Sequence, residues 1–213
     1  MNSDNPQTRH SAFQISCFTG GPLDTNAYYV EVGGRAMLFD APQGADREFE
    51  GRKVDLLVLT HGHFDHVADA AAIAKRHGCR VAAHELTLPM VTDREFFRNW
   101  GFALEVEPVG VDDILPEGEG NLLGVPCVNF HVPGHCPGSL CTYFPESEIL
   151  VGGDVLFAGG VGRWDLPGGD HETLISGIHG KLMPLNDTVN VLPGHGPPTT
   201  IGQERKSNPF LQQ

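Results

Sequence analysis

The sequence of 213 residues has little of several things that mark whole classes of protein. Its five cysteines form no Cys-x-x-Cys pair, so a disulfide framework is not expected and a reducing compartment is favoured. No apolar run approaches the roughly 18–20 residues that a membrane span requires. The first residues have no basic start followed by an apolar stretch, so a secretory signal is not expected. These absences predict a soluble cytoplasmic protein with no membrane partner.

Basic residues are also scarce. Fourteen Lys and Arg stand against 27 Asp and Glu, which gives a formal net charge of −13. A nucleic-acid surface needs clustered cations, so we expect a small-molecule partner and no nucleic-acid partner. The length and the lack of internal repeats predict a single domain over residues 1–213, with a flexible polar segment at 1–11. The sequence does not indicate an oligomeric state.

Strand and helix signals alternate along the chain and predict an α/β fold. Strands are predicted at residues 13–18, 26–32, 35–40, 54–59, 80–83, 102–106, 126–132, 140–144, 149–152 and, as the last strand, 189–192. Helices are predicted at 67–77 and, behind an N-cap at Asp170, to about 182, with an irregular helical lip over 85–100. The run at 54–59 is too continuously apolar for a one-sided strand and should be central. Two strand-rich halves flanked by helices predict a four-layer αββα sandwich.

Metal-ligand side chains are concentrated in Thr-His-Gly-His-Phe-Asp-His at residues 60–66, directly after the apolar run. Side chains alternate along an extended segment, so His61 and His63 face the same side and can reach one ion at roughly 2.0–2.1 Å. Asp65 and His66 follow a turn and face another direction, where a second ion about 3.5–4 Å away would suit them. The segment predicts a metal site at the carboxyl end of a buried strand.

Three more candidate ligands occupy matching places. His135, Asp154 and His195 each follow a predicted strand and lie in a glycine-rich loop. Active sites of layered α/β proteins gather at such strand ends. Each residue alone would more often belong to a turn, but together with the 60–66 segment they are predicted ligands.

These motifs resemble the metallo-β-lactamase superfamily over nearly the whole chain. The segments that resemble its glyoxalase II-like (hydroxyacylglutathione hydrolase-like) branch are 153–157, 162–170, 193–197 and 208–210. The resemblance implies one metal held by His61, His63 and His135. It implies a second metal held by Asp65, His66 and His195, with Asp154 bridging both. Two divalent ions are therefore expected, with zinc favoured and iron or manganese also suited to these ligands.

The ligand set predicts a metal-dependent hydrolase. Two divalent ions and two carboxylates leave a charge of roughly +2, which depresses the pKa of a bridging water from 15.7 toward about 7. The resulting hydroxide is the expected nucleophile, and Asp65 and Asp154 are the expected catalytic carboxylates. No Gly-x-Ser-x-Gly elbow is present, so no serine nucleophile is needed. The expected reaction is hydrolysis of a thioester of the S-acyl glutathione type, such as S-lactoylglutathione.

Substrate recognition has two interpretations. Arg163 matches the position at which glyoxalase II enzymes carry a basic residue that contacts glutathione, and it could pair with a substrate carboxylate. A surface arginine that braces its own loop is the alternative. The family's neighbouring tyrosine position is Asp165 in this sequence.

Two other activities stay open. The Gly-Arg-x-Asp segment at 162–165 is similar to that of persulfide dioxygenases, which use one iron on the equivalents of His61, His135 and Asp154. A lactonase or β-lactamase of the same superfamily is the third possibility.

Overall fold

The computed structural model describes residues 13–101 and 106–212. The predicted flexible segment at 1–11 and all but the last residue of the strand predicted at 102–106 lie outside these ranges. Within them, two six-stranded sheets pack face to face, and helices cover the outer face of each sheet.

The first sheet contains the amino-terminal strands in chain order. They are β1 (Gln14–Gly20), β2 (Thr25–Val32), β3 (Arg35–Phe39), β4 (Leu56–Leu59), β5 (Arg80–Ala83) and β6 (Asp113–Ile114). The first three strands are antiparallel, and β3 to β6 run parallel. Gly33 and Gly34 both have positive φ and form the predicted turn between β2 and β3.

The second sheet has the order β14-β13-β10-β9-β8-β7. The strands of this half are β7 (Gly118–Leu122), β8 (Val125–His131), β9 (Leu140–Phe144), β10 (Ile149–Gly153), β11 (Leu156–Phe157), β12 (Gly160–Val161), β13 (Asn190–Pro193) and β14 (Thr199–Thr200). Strands β10 and β13 are parallel, and β11 and β12 form a separate hairpin. The prediction that 189–192 is the last strand is wrong, because β14 follows it. Two residues are too few to show the period-two pattern of a strand.

Short helices follow or join the strands. They are α1 (Ala45–Glu48), α2 (Phe64–Val67), α3 (Ala70–His77), α4 (Leu88–Thr92), α5 (Phe96–Asn99), α6 (His171–Gly177) and α7 (Ile201–Ser207). Gly78 ends α3 in the left-handed conformation, as predicted. The Asp170 side chain accepts a hydrogen bond from the Thr173 amide and caps α6, also as predicted.

The sandwich has three hydrophobic layers, and strand β4 contributes to two of them. Leu56 and Val58 pack between the sheets with Phe144 of β9. Leu57 and Leu59 face the opposite side, in the core that contains α3. A third core joins the outer face of the second sheet to α6 and α7. The predicted αββα sandwich and the central position of β4 are both confirmed.

In the ranges 13–101 and 106–212, no helix has both the length and the apolar composition that crossing a bilayer requires.

Candidate metal centre

The predicted ligands meet at one edge of the sandwich, where β4, β10 and β13 end. The 60–66 segment leaves β4 and turns into α2, which begins directly after His63. Asp154 follows β10, and His195 follows β13. The parallel pairing of β10 with β13 brings the last two together, and the loop between β8 and β9 supplies His135.

Two glycines allow these loops to approach closely. A Cβ atom at Gly194 would lie 2.0 Å from Asp154 Oδ1 and 2.7 Å from His66 Cε1. A Cβ atom at Gly62 would lie 2.6 Å from the Cβ of Met90. A side chain at Gly194 would displace Asp154 or His66, and a side chain at Gly62 would displace Met90 of α4.

His61, His63 and His135 form what we call the three-histidine cluster. His63 Nδ1 lies 2.9 Å from His135 Nε2, which lies 3.3 Å from His61 Nε2. All three side chains are buried. Their ring nitrogens converge on one small volume, which is the arrangement of ligands around a single cation.

Asp65, His66 and His195 form what we call the mixed cluster. Asp65 Oδ2 lies 3.3 Å from His195 Nε2 and 3.5 Å from His66 Nε2. Their ligand atoms also converge on one volume. This cluster is more open than the first, because a quarter of the His195 side chain is exposed.

Asp154 lies between the two clusters. Its Oδ1 is 3.2 Å from His66 Nε2, and its Oδ2 is 3.3 Å from His195 Nε2. The same Oδ2 is 3.5 Å from His135 Nε2 in the three-histidine cluster. The carboxylate therefore reaches both groups, as a bridging ligand must.

Unsatisfied polar atoms show that this site fits cations. His63 Nε2 is buried without a hydrogen-bond partner, and His66 Nε2 and Asp154 Oδ1 face each other at 3.2 Å without forming a hydrogen bond. Leaving a buried polar group unpaired typically costs about 1–3 kcal/mol, which a bound cation would remove. Imidazole nitrogens and carboxylate oxygens without thiolate are ligands that suit zinc, iron and manganese.

The three-histidine cluster favours neutral imidazoles. Burial lowers the pKa of His61 well below its usual value, and nearby histidines lower it further. Burial, together with His135, lowers the pKa of His63 to about 3. Burial also lowers the pKa of His135. Neutral imidazole is the form that binds metal, so these rings need not lose a proton at neutral pH.

The mixed cluster has the opposite electrostatics. Burial disfavours the charged forms of His66 and His195, but neighbouring carboxylates outweigh it. The pKa of His195 is therefore raised to about 10 and that of His66 is raised well above its usual value. Burial likewise opposes ionisation of Asp65, yet the hydrogen bond from His195 and the charge of His66 hold its pKa at about 2. Without metal, this cluster is a set of ion pairs.

Asp40 supports the site and was not predicted from the sequence. Its Oδ2 accepts hydrogen bonds from His66 Nδ1 and Thr60 Oγ1, both at 2.7 Å, and its Oδ1 accepts one from the Thr60 amide. The first bond leaves His66 Nε2 to face the site and fixes the ring. A signal was present, because Asp40 directly follows the apolar strand β3.

Other ligands are fixed from outside in the same way. Thr25 donates a hydrogen bond from its hydroxyl to Asp65 Oδ2 at 2.7 Å. His195 Nδ1 donates to the Leu23 carbonyl oxygen at 3.0 Å, and His135 Nδ1 donates to the Arg163 carbonyl oxygen at 2.8 Å. These partners turn the remaining ring nitrogens toward the site.

The loop of His195 is held by the start of β2, in what we call the β2 clamp. The Asn26 side-chain amide donates to the carbonyl oxygens of Pro193 and Gly196, and the Asn26 backbone amide donates to the Gly194 carbonyl. The Tyr28 hydroxyl donates to the Pro193 carbonyl at 2.8 Å. These four bonds fix the backbone on both sides of His195.

A cavity of about 550 Å³ opens over both clusters. Its apolar walls include Phe64, Phe97, Trp100 and Phe157. The predicted lip over 85–100 is thus confirmed, because Phe97 and Trp100 lie in that segment. The volume is typical of sites for small molecules.

Arg163 also lines this cavity, as the resemblance implied, but its side chain is already paired. Its Nε and Nη2 donate to the two carboxylate oxygens of Asp165, at 2.7 and 2.8 Å. The structure thus contains the loop-bracing contact that was the alternative interpretation of this arginine.

Comparisons with known proteins agree with this architecture. The sequence profile of the Metallo-beta-lactamase superfamily matches residues 20–195. "Hydroxyacylglutathione hydrolase GloC" of Haemophilus influenzae is 37% identical over 94% of each chain. The crystal structure of "BLEG-1 B3 metallo-beta-lactamase" superposes with a TM-score of 0.87 at 33% identity, covering 94% of this chain and all of that one. That of "TTHA1623 in a di-iron-bound form" gives 0.82 at 39% identity, covering 92% and 100%. The chain therefore belongs to the metallo-beta-lactamase superfamily, as one of its metal-dependent hydrolases.

Proposed function

We propose that the protein is a cytoplasmic hydrolase with two metal ions that cleaves small-molecule thioesters. The observation that carries this proposal is the convergence of seven ligand side chains in two clusters that share Asp154. The three-histidine cluster would hold one ion and the mixed cluster the other. Bound divalent cations would polarise the substrate carbonyl and lower the pKa of water at the site.

The carboxylates of the chain have a direct part in this reaction. Asp65 and Asp154 both line the cavity, and their pKa values lie below the usual range, so both are ionised at neutral pH. Their oxygens would accept hydrogen bonds from a water molecule that attacks the thioester carbonyl. The Thr25 hydroxyl holds one Asp65 oxygen in position for this task.

The thioester class is supported by the relative from Haemophilus influenzae, which is named as a hydroxyacylglutathione hydrolase. S-lactoylglutathione is accordingly the first substrate to test. Zinc is the proposed metal, and the di-iron form of a neighbour at 39% identity makes iron the main alternative.

A β-lactamase activity is the second candidate. It is favoured by the 33% identity and close superposition with a protein described as a B3 metallo-beta-lactamase. A β-lactam carbonyl would meet the same ligands and the same carboxylates.

The test combines metal analysis with a substrate panel. We expect about two ions per chain and hydrolysis of S-lactoylglutathione or a simpler thioester at a kcat/KM above that for lactones and β-lactams. The exposed histidine variant His179→Ala is a matched control and should keep both ions and full activity. Faster cleavage of β-lactams would replace the proposed substrate class. About one iron per chain with rapid oxygen uptake on glutathione persulfide would overturn the hydrolase proposal.

A further inference from the structure

The wall of the active-site cavity is mainly apolar away from the two clusters. Phe64, Phe97, Trp100, Phe157 and Leu166 are among the apolar residues that line the cavity. Among the described residues that line the cavity, Arg163 is the only lysine or arginine. A charged substrate therefore has one side chain of fixed positive charge to recognise it outside the clusters.

That side chain is occupied by its own loop. One edge of the Arg163 guanidinium donates two parallel hydrogen bonds to Asp165, in the fork geometry that an incoming carboxylate would also use. The guanidinium keeps donors on its other edge, but the adjacent carboxylate neutralises its charge. The hydrogen bonds from Arg163 hold the pKa of Asp165 at about 2, so Asp165 is ionised at neutral pH.

Only one residue separates Arg163 from Asp165 in the chain. Asp165 therefore always lies close enough to compete with a substrate carboxylate for the Arg163 guanidinium. Both side chains are about 60% exposed, so the pair lies where a substrate would approach it. A substrate carboxylate must displace Asp165 or bind beside a second negative charge. An uncharged apolar group meets neither cost and gains from leaving water for the aromatic wall.

We propose that Asp165 is a specificity-determining residue that disfavours glutathione thioesters, so that the preferred substrates are thioesters with an uncharged, apolar thiol portion. This inference rests on the proposed thioester hydrolysis and narrows it. The acyl portion is left to the ligand clusters, and the thiol portion is assigned to the aromatic wall.

The first experiment varies only the thiol. The lactoyl thioesters of hexanethiol, N-acetylcysteamine and glutathione share one acyl group and differ in apolar surface and charge. We expect kcat/KM for the hexanethiol ester to exceed that for the glutathione ester by at least about tenfold, the effect of burying roughly two methylene groups. The neutral but polar N-acetylcysteamine ester should fall between them. A glutathione ester hydrolysed better than the hexanethiol ester would overturn the proposal.

The second experiment releases Arg163. The variant Asp165→Asn should raise kcat/KM for the glutathione ester about two- to fivefold, as expected for an exposed ion pair, and leave the hexanethiol ester unchanged. The double variant Arg163→Gln/Asp165→Asn should lose that gain, because the freed guanidinium is its source. Asp113→Asn is the matched control, since it breaks the exposed pair of Asp113 with Arg80 on the first sheet. An equal gain in the double variant, or no gain in Asp165→Asn, would contradict the role of Asp165.

A binding measurement separates this inference from the proposed reaction. S-methylglutathione has the charged thiol portion but no thioester, so calorimetry on the metal-loaded protein reads recognition without turnover. We expect it to bind Asp165→Asn two- to fivefold more tightly than the parent protein and to return to parent affinity in the double variant. Absence of all thioester hydrolysis with this pattern intact would refute the reaction and keep the role of Asp165. Thioester hydrolysis without these changes in S-methylglutathione affinity would support the reaction and refute the role of Asp165.

Discussion

The three-histidine cluster and the mixed cluster lie side by side but are built on different principles. The first consists of buried imidazoles whose nitrogens face one another and whose pKa values are lowered by burial. The second pairs Asp65 with His66 and His195, whose pKa values are raised by carboxylates. Burial favours neutral rings in the first cluster, whereas the second contains ion pairs.

Two ligand clusters can share one carboxylate although the groups that support them differ. Asp154 contacts both clusters, while the remaining supports are distributed unequally. Asp40 and Thr25 donate or accept hydrogen bonds at residues of the mixed cluster. The three-histidine cluster has its own outer partners, the Arg163 carbonyl at His135 and the Thr60 hydroxyl at His61. Among the residues that the structure describes, only the mixed cluster has a carboxylate, Asp40, as such a partner, so substitutions should act on the two clusters to different extents.

Removing the shared carboxylate should have the largest effect. We expect Asp154→Ala to lose most bound metal from both clusters and to lower kcat/KM by more than the roughly 10–100-fold typical of outer partners. Elemental analysis of the purified variant, with turnover of the best thioester, measures both quantities. Retention of two ions per chain would show that the clusters do not share this ligand.

Removing one histidine from each cluster should separate them. His63→Ala and His195→Ala are each expected to keep about one ion per chain, because the other cluster retains its own ligands. Metal analysis after dialysis against the same free-ion concentration measures this, with His179→Ala as the control. Loss of both ions in either variant would mean that the clusters bind only together.

Asp40→Asn tests the dependence on outer partners. An amide has one accepting oxygen, so the variant cannot accept the hydrogen bonds from His66 Nδ1 and from both Thr60 donors. We therefore expect the affinity for the ion at the mixed cluster to fall about 10–100-fold. The three-histidine ion should weaken less. A competition titration with a chromophoric chelator resolves the two affinities. Asp112→Asn is the control, because that carboxylate accepts an amide hydrogen bond away from the site. An equal fall in both metal affinities would show that the two clusters depend on Asp40 to the same extent.

Thr25→Val should have the smallest effect. It removes one hydrogen bond to Asp65 at nearly constant shape, and a net loss of about 1 kcal/mol corresponds to roughly fivefold in affinity for the mixed-cluster ion. Thr25→Ser keeps the hydroxyl and should retain parent affinity in the same titration. A similar loss in Thr25→Ser would assign the effect to packing instead.

Features with a local pattern could be predicted from the sequence. The continuous apolar run of β4 predicted a central strand, and Gly78 predicted the end of α3. The dense ligands at 60–66 predicted a metal site, and the strand-end positions of His135, Asp154 and His195 predicted that they would meet there. Each of these signals depends on residues close together in the chain.

Features created by long-range contact could not be predicted in this way. Strand β7 reads Gly-Glu-Gly-Asn-Leu, which has no strand alternation, and it forms by pairing with β8 at the sheet edge. Asp40 looks like a turn residue until folding brings it to His66, 26 positions away. The pairing of Arg163 with Asp165 was within local reach, but sequence alone does not say which way either side chain points.

The β2 clamp has a consequence for the order in which the protein is made. Its hydrogen bonds join residues 165–170 positions apart, so they form only after most of the chain has left the ribosome. A nascent chain ending before β13 already contains every residue of the three-histidine cluster. The mixed cluster must wait for His195 and for closure of this long loop, which is an intrinsically slow event. The two clusters are therefore completed at different stages of chain synthesis, the three-histidine cluster first.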